Sequence, residues 1–276
     1  MSRLAARFAA LKAAQRSAFI PFITAGDPDA ATTQALLRAL PGAGADIIEL
    51  GIPFSDPMAD GPAIQASSLR ALNAGISVTK IFNLVASFRS VDTQTPLVLM
   101  GYYNPIHAYG IERFIADAAA AGVDGLITVD LPPEEDAVLR EPSRAQGIDV
   151  VRLATPTSGP QRLKTITADA SGFLYYVSVA GVTGTKEVAE DAVAAAIERV
   201  RRTSQLPVAV GFGIRTPQQA AKIARLADAV VVGSAIVTRI AAAHAKGLAG
   251  EALLAHTLEF CRELSDAVHG ARGQTC

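Results

Sequence analysis

Cysteine is scarce in this chain of 276 residues, which contains only Cys261 and Cys276. Two cysteines cannot form the disulfide framework of a small secreted protein, so the composition indicates a reducing compartment, and we expect a cytoplasmic protein. Cys261 falls in an apolar helical pattern near the C-terminus. We interpret it as a small core residue and not as a nucleophile.

An excess of charge of one sign is also missing. The formal net charge is -1 at pH 7 and the sequence pI is about 6.4, which argues against nucleic acid or an anionic membrane as the main partner. No apolar run reaches the ~18 residues of a membrane span. The sequence also predicts no metal site, because its four histidines lack the spacing of metal ligands. These are His107, His244, His256 and His269.

Acidic residues are absent from the first 26 positions, whereas residues 2–17 contain four basic ones. An Arg-rich, acid-poor and amphipathic start is typical of a transit peptide. The alternative is a short helix that closes the bottom of a barrel, because Leu4, Phe8 and Leu11 share one helical face and a strand-like run follows without a spacer. We favour the packed helix.

Short apolar runs alternate with alanine-rich helical patterns along the whole chain. Eight runs are bounded by Gly, Pro or Asp and are nearly continuous, as expected of parallel strands buried on both faces. The predicted strands are 18–24, 46–51, 96–102, 125–130, 149–154, 173–179, 207–212 and 229–233. The predicted helices include 30–40, 78–91, 111–121, 133–146, 188–202, 217–225 and 253–267.

Eight strand–helix units in about 250 residues predict a (βα)₈ TIM barrel of the α/β class. An open doubly wound sheet is disfavoured, because Ala25-Gly26-Asp27-Pro28 after the first strand lacks the GxGxxG spacing of a dinucleotide-binding loop. We predict one domain over residues 1–276, with a frayed tail at 270–276. It should have an N-terminal helix and extra short helices after strands 2 and 8.

Glu49 lies within the apolar second strand, where an unpaired carboxylate is costly. One explanation is a salt bridge across the barrel mouth. The other is catalysis, because active sites of TIM barrels lie at the C-terminal ends of the strands. Burial should raise the pKa of Glu49, which suits a group that must give and take a proton near neutral pH.

Asp60 lies in the long loop after the same strand, near Ser55 and Asp56. A long loop between a strand and a helix favours function over mere linkage. However, Asp60 precedes Gly61-Pro62, so it could equally be the N-cap of the next helix. The spacing alone leaves both roles open.

Glycines follow strands six, seven and eight, at Gly184, Gly213 and Gly233. In TIM barrels a phosphate site is often built from the last two loops and the N-terminus of a short helix, and Ser234 begins such a helix. The loop around Gly184 could bind an anion or be an ordinary flexible linker. The three glycines together predict a small phosphorylated substrate.

Apolar residues at the strand ends would form a slot for a flat ring, although core packing would select the same residue types. They are Phe22, Met100, Ile127, Val129, Tyr175, Val177 and Phe212.

Seven runs along these strands and loops resemble the α-subunit family of tryptophan synthase. In family order they read PFITAGDP, IIELGIPFSDPMADGPAIQ, GYYNPI, DLPPEE, GVTG, GFGI and VVGSAIV. The second run is highly specific, whereas GFGI or VVGSA alone occurs in many phosphate-binding barrels. The resemblance covers the barrel from strand one to strand eight.

The resemblance implies retro-aldol cleavage of indole-3-glycerol phosphate to indole and glyceraldehyde 3-phosphate. It implies that Glu49 performs the proton transfers at the ring carbon and at the glycerol hydroxyl. Asp60 would stabilise charge and accept the proton on the ring nitrogen. Thr183, on a lid at 179–192, would help to position Asp60. Phe22, Met100, Ile127, Tyr175 and Phe212 would surround the ring, and Gly184, Gly213, Gly233 and Ser234 would bind the phosphate.

The resemblance also implies a β-subunit partner, in an α₂β₂ tetramer, that receives indole and contains pyridoxal phosphate. This chain would need no cofactor of its own. The segments expected to face the partner are 53–62, 101–108 and 130–133. Two alternatives are a free-standing indole-3-glycerol phosphate lyase and a non-catalytic barrel that activates a partner.

Overall fold

Eight parallel strands form a closed barrel, in sequence order, in the computed structural model, which describes residues 2–178, 190–211 and 213–272. The strands are β1 (Ala18–Thr24), β2 (Ile48–Gly51), β3 (Leu97–Gly101), β4 (Gly125–Thr128), β5 (Asp149–Ala154), β6 (Leu174–Val177), β7 (Val208–Gly211) and β8 (Ala229–Val232). β1 pairs with β8 and closes the barrel. The predicted TIM barrel is confirmed.

Helices surround the barrel on the outside. In the described residues they are α1 (Arg3–Ala13), α2 (Ala30–Ala39), α3 (Pro62–Asn73), α4 (Val78–Arg89), α5 (Tyr103–Tyr109), α6 (Ile111–Ala121), α7 (Ala137–Ala145), α8 (Pro160–Ala168), α9 (Glu190–Arg201), α10 (Pro217–Leu226), α11 (Ser234–Ala245) and α12 (Gly250–Gly270), with a 3₁₀ turn at Pro41–Ala43. None of them is by itself long and apolar enough to cross a bilayer. Only the bent pair α3 and α4, counted together, meets that requirement by length and composition.

The helix α1 packs against the bottom of the barrel. Leu4, Phe8 and Leu11 are buried, and the Phe8 and Phe173 ring centroids are 5.7 Å apart. Ser2 caps the helix by accepting a hydrogen bond from the N–H of Ala5. The apolar face of the N-terminal segment is therefore explained by packing, and the interpretation as a closing helix is confirmed.

Two predicted strands, β1 and β5, have the predicted boundaries, whereas the other six are shorter. At a strand end a side chain can take the place of a backbone partner. Asp46 illustrates this, because its carboxylate accepts a 2.9 Å bond from the N–H of Phe19 while β2 begins only at Ile48. Tyr102, predicted as the end of the third strand, is the N-cap of α5.

Three helical predictions differ from the structure. No helix was predicted in the segment 101–108, but most of α5 lies there. The helix predicted at 133–146 begins only at Ala137, after a turn in which the N–H of Glu135 donates to the Pro132 carbonyl. The closing helix α12 continues to Gly270, and Arg272 Nε donates to the Ala224 carbonyl at 2.9 Å, so the predicted tail is ordered up to Arg272. Residues 273–276 lie outside the described part of the chain.

The extra helices predicted after strands 2 and 8 are present, but they are not short. α3 and α4 lie between β2 and β3, and α11 precedes α12 after β8; α3, α4 and α11 have 12 residues each. α3 matters most for the site, because it begins directly after Asp60 and Gly61.

Candidate active site

Glu49 is buried inside the mouth of the barrel, between Phe22 of β1 and Val98 of β3. Only 1% of its surface is exposed, and its Oε2 atom has no hydrogen-bond partner in the described residues. No ion pair to Glu49 occurs among these residues either, so they give no support to a salt bridge. Burial, and secondly the negative charge of Asp60, raises the pKa of Glu49 to about 8.

Asp60 closes a tight turn above this carboxylate, with its N–H bonded to the Pro57 carbonyl at 3.0 Å. The N-cap of α3 is Gly61, and no side chain caps that helix, so the interpretation of Asp60 as a cap is wrong. Burial raises the pKa of Asp60 to about 6, although a hydrogen bond with Tyr102 opposes the increase. Near neutral pH the site therefore contains one protonated and one ionised carboxyl group.

Tyr102 supports the Asp60 loop, and the sequence did not identify it as a site residue. Its hydroxyl accepts a 2.9 Å hydrogen bond from the N–H of Ala59, and its ring lies 5.4 Å from the Phe54 ring. Burial and the Asp60 charge raise the pKa of Tyr102, so its hydroxyl stays protonated and can donate to Asp60. The available signal was its position at the end of the third strand.

The predicted apolar lining is partly brought together around the two carboxyl groups. Phe22 and Met100 line a small cavity with Asp60, and Ile127 pairs with Met100 across β3 and β4. Tyr175 is buried, and its pKa is raised well above the usual value by burial, with added contributions from Glu49 and Asp60. Phe212 lies outside the described residues.

Two glycines that no sequence motif singled out leave room for the aromatic walls. A Cβ atom on Gly51 would lie 2.5 Å from Cζ of Phe22, and one on Gly211 would lie 2.2 Å from the hydroxyl of Tyr175. Both distances are far below van der Waals contact. Glycine at these two positions therefore allows Phe22 and Tyr175 to lie against the strands.

Two residues of the predicted phosphate site, Gly233 and Ser234, lie at the start of α11. Gly233 is the N-cap and Ser234 the first helical residue, so the first N–H groups of this helix have no partner within it. Gly213 has a positive φ of 79°, a backbone conformation that glycine adopts without strain. Gly233 also lies beside Phe22, which places these donors next to the apolar wall. Thr183 and Gly184 lie outside the described residues.

A second and larger cleft, of about 500 Å³, lies between β4, β5, α7 and α8. Two of its charged residues bond to each other, because Arg152 Nε donates to Asp136 at 2.7 Å. Arg152 Nη1 donates to the Thr165 and Ile166 carbonyls. This ion pair is structural. The described residues contain no cluster of three His, Cys, Asp or Glu side chains that could bind a metal ion.

A TIM barrel whose mouth combines two buried carboxyl groups of raised pKa with apolar walls and a helix N-terminus is typical of an acid–base enzyme. Comparison with known proteins agrees. Residues 8–269 match the family model described as tryptophan synthase alpha chain. The chain is therefore a member of the tryptophan synthase α-chain family, whose members are lyases that cleave indole-3-glycerol phosphate to indole and glyceraldehyde 3-phosphate.

Solved structures are similar over almost the full chain. The α subunit of tryptophan synthase from Legionella pneumophila is 40% identical, with a TM-score of 0.90, over 97% of this chain and 98% of that one. A chain of Mycobacterium tuberculosis tryptophan synthase in its aminoacrylate-bound form is 35% identical, with a TM-score of 0.86, over 98% and 100%. A chain from Aquifex aeolicus is 34% identical, with a TM-score of 0.87, over 98% and 100%.

Proposed function

We propose that Glu49 and Asp60 perform the proton transfers of the cleavage of indole-3-glycerol phosphate. Glu49, protonated near neutral pH, donates its proton to the ring carbon that bears the glycerol chain. Ionised Asp60 stabilises the positive charge that develops on the ring and accepts the proton of the ring nitrogen. The observation that supports this most is the buried Glu49 carboxyl group, which has a pKa near 8 and no partner for Oε2 in the described residues.

The second half of the reaction reverses these transfers. The carbon–carbon bond breaks and its electron pair returns to the ring, which restores aromatic indole as Asp60 gives the proton back to nitrogen. The neighbouring hydroxyl group of the glycerol chain becomes the aldehyde of glyceraldehyde 3-phosphate, and Glu49 takes the hydroxyl proton. Both carboxyl groups end as they began, so the cycle consumes no proton.

The rest of the site would bind the two ends of the substrate. Phe22, Met100, Ile127 and Tyr175 are buried around the carboxyl pair and would hold the indole ring. Gly213, Gly233 and Ser234 would donate backbone N–H groups to the phosphate, with the positive end of the α11 dipole adding attraction. Gly184, Thr183 and Phe212 complete the proposed set but lie outside the described residues.

The proposed partner is a tryptophan synthase β subunit that contains pyridoxal phosphate, in an α₂β₂ tetramer. We propose that this chain needs no cofactor, forms one domain and acts in the cytoplasm. Two features favour docking next to the site. Met58, on the Asp60 loop, is 80% exposed, and Asp130 accepts a 2.7 Å hydrogen bond from the N–H of Tyr103, which joins two of the expected partner segments.

The test is an indole-release assay on the wild-type chain, Glu49→Gln and Asp60→Asn. We expect each variant to lose roughly 10²-fold or more in rate, as is usual when a catalytic acid or base is removed. Asp56→Asn is the matched control, because Asp56 is an exposed carboxylate on the same loop, and its rate should stay near wild type. Wild-type rates in both Glu49→Gln and Asp60→Asn would overturn the assignment.

The same assay with a β subunit present separates the alternatives. A free-standing lyase would show fast indole release that the β subunit does not stimulate. A non-catalytic barrel would release no indole in either condition, and the intact carboxyl pair argues against it.

A further inference from the structure

The buried face of α3 is unusually polar for a helix that packs against a barrel. The buried residues of α3 are Ser67, Ser68 and Ala71, which bury little apolar area. The apolar packing of this helix comes from Ala71 and from Ile64 and Leu72, which are only partly buried. Directed polar contacts add to this packing. α3 begins only two residues after Asp60.

Two polar contacts join α3 to the end of β1 and the loop that follows it. The Thr24 and Ser67 hydroxyl groups are 2.7 Å apart and buried. One turn further, Arg70 forms a bidentate pair with Asp27, with Nε–Oδ1 at 2.7 Å and Nη2–Oδ2 at 2.8 Å. The Asp27 side chain is 1% exposed and that of Arg70 is 29% exposed, so the aspartate end of this bidentate pair is desolvated.

The N-terminal end of α3 is in turn bonded to Asp60. Gln65 Nε2 donates to the Asp60 carbonyl at 2.9 Å, and the N–H groups of Ile64 and Gln65 donate to the Gly61 carbonyl at 3.0 Å. A movement of α3 is therefore passed on to Asp60 through short bonds.

The distance from Arg70 to the start of α3 converts a small tilt of the helix into a larger displacement near Asp60. Pro62 and Arg70 are eight residues apart, which corresponds to roughly 12 Å along the axis. A tilt of about 5° at Arg70 would move the start of α3 by about 1 Å, and a 1 Å misplacement of a catalytic group can cost roughly 10²-fold in rate.

The charge of Arg70 does not act directly on the reacting groups. Burial raises the pKa of Asp27, and the charged groups that also act on this pKa are Arg70, His244 of α11 and Asp29. Arg70 does not contribute to the raised pKa of either Asp60 or Glu49. Its influence on the reaction would have to pass through the position of α3.

We propose that Arg70, held by Asp27 and assisted by the Thr24–Ser67 hydrogen bond, is a positioning residue that fixes α3 and thereby Asp60. This inference rests on the proposed role of Asp60. The mouth of the barrel is thus coupled to the loop after β1 by an ion pair that does not touch the substrate.

The experiment measures kcat/KM for indole release against pH in the isolated full chain, at a temperature below the Tm of every variant. The variants are Arg70→Met, Arg70→Lys and the double variant Asp27→Asn with Arg70→Met, which leaves no unpaired buried charge. Arg3→Met is the matched control, because Arg3 also pairs with a buried aspartate, Asp124 at 2.8 Å, but at the bottom of the barrel. Asp60→Asn is measured in parallel.

We expect Arg70→Met and the double variant to lose roughly ten- to a hundredfold in kcat/KM. On the acid side of the pH profile, their activity should rise at a lower pH than that of the wild type. The reason is that a displaced Asp60 becomes better solvated and ionises more easily. Arg70→Lys should recover part of the loss, and Arg3→Met should keep the wild-type profile.

Equal profiles for Arg70→Met and Arg3→Met, or wild-type activity in the double variant, would overturn the proposal. If Arg70→Met does not fold, the double variant decides. If Asp60→Asn loses activity but the Arg70 variants do not, this inference alone fails. If Asp60→Asn is fully active, the proposed role of Asp60 fails first.

Discussion

Burial of the Glu49 carboxyl group lowers the stability of the folded protein when the group ionises, and it also keeps the group protonated for catalysis. A carboxyl group that is 1% exposed, without a partner for Oε2 in the described residues, stays protonated up to a pH near 8. The unfolded chain ionises the same group near its ordinary value of 4.5. Folding therefore works against ionisation of Glu49 between these two pH values.

We predict that Glu49→Gln stabilises the protein increasingly as pH rises. The pKa of Glu49 is higher in the folded than in the unfolded chain. The stability that protonated Glu49 contributes is therefore fully present below pH 4.5 and is lost as pH rises to about 8. Glutamine does not titrate, so the gain in free energy of unfolding over wild type should grow by about 3 kcal/mol between about pH 5 and pH 8.

Urea unfolding of both proteins across that range measures the difference. The exposed Glu259→Gln serves as control and should show no such trend. A difference between Glu49→Gln and wild type that does not change with pH would mean that Glu49 ionises normally in the folded protein.

The residues of the site differ in how far the sequence could predict them. Glu49 could be predicted because an unpaired carboxylate in an apolar strand is costly to bury and indicates a function. Asp60 had two local interpretations, and only the long motif around it favoured catalysis. Tyr102 was missed because its partner Ala59 is 43 positions away, and a contact of that kind exists only after the strands have closed into a barrel.

At the scale of elements, the glycines at the ends of β2 and β7 determine where the aromatic walls lie. The hydroxyl of Tyr175 occupies the space that a side chain on Gly211 would need, and Tyr175 is only 3% exposed. The ring has little room to move away. Periodicity predicted these strands but not the need for glycine, because that need arises from a neighbouring strand.

We predict that Gly211→Ala destabilises the protein by about 1–3 kcal/mol and lowers indole release, because the new methyl group displaces Tyr175. Gly42→Ala is the control, since a Cβ on Gly42 meets nothing within 4 Å. Thermal unfolding and the indole assay give both quantities. Equal stability and activity in the two variants would show that Tyr175 can move without consequence.

The strand ends were harder to predict than the strands themselves. Alternation of apolar and helical segments was sufficient for the order of the barrel. Where a ladder stops depends on which backbone groups pair with side chains, as at Asp46, and on helices that start at once, as α5 does after Tyr102. Both depend on contacts between segments that lie far apart in sequence.

At the scale of the whole molecule, the barrel gathers groups from distant parts of the chain at one mouth. Glu49, Asp60, Tyr102, Tyr175 and the α11 N-terminus come from β2, β3, β6 and β8 and their loops. The same mouth displays the loop that carries Met58. Product would therefore form next to the surface at which we propose that the β subunit binds.

We predict that Met58→Asp weakens binding to a β subunit at least about tenfold, because it places a charge in an apolar contact. Indole release by the isolated chain should change little. Val91→Asp is the matched control, since Val91 is 63% exposed but lies outside the proposed partner segments. Titration calorimetry with the purified β subunit measures both affinities, and equal affinities would exclude Met58 from the interface.

The most direct test of the carboxyl pair is the pH dependence of kcat/KM for indole release by the wild-type chain. Asp60 must be ionised and Glu49 protonated, so activity should rise with pH through about 6 and fall through about 8. In Asp60→Asn the residual activity should fall at a lower pH, because the charge that helps to keep Glu49 protonated is gone. A profile that is flat up to pH 9, or an upper limb that Asp60→Asn leaves unchanged, would contradict the account.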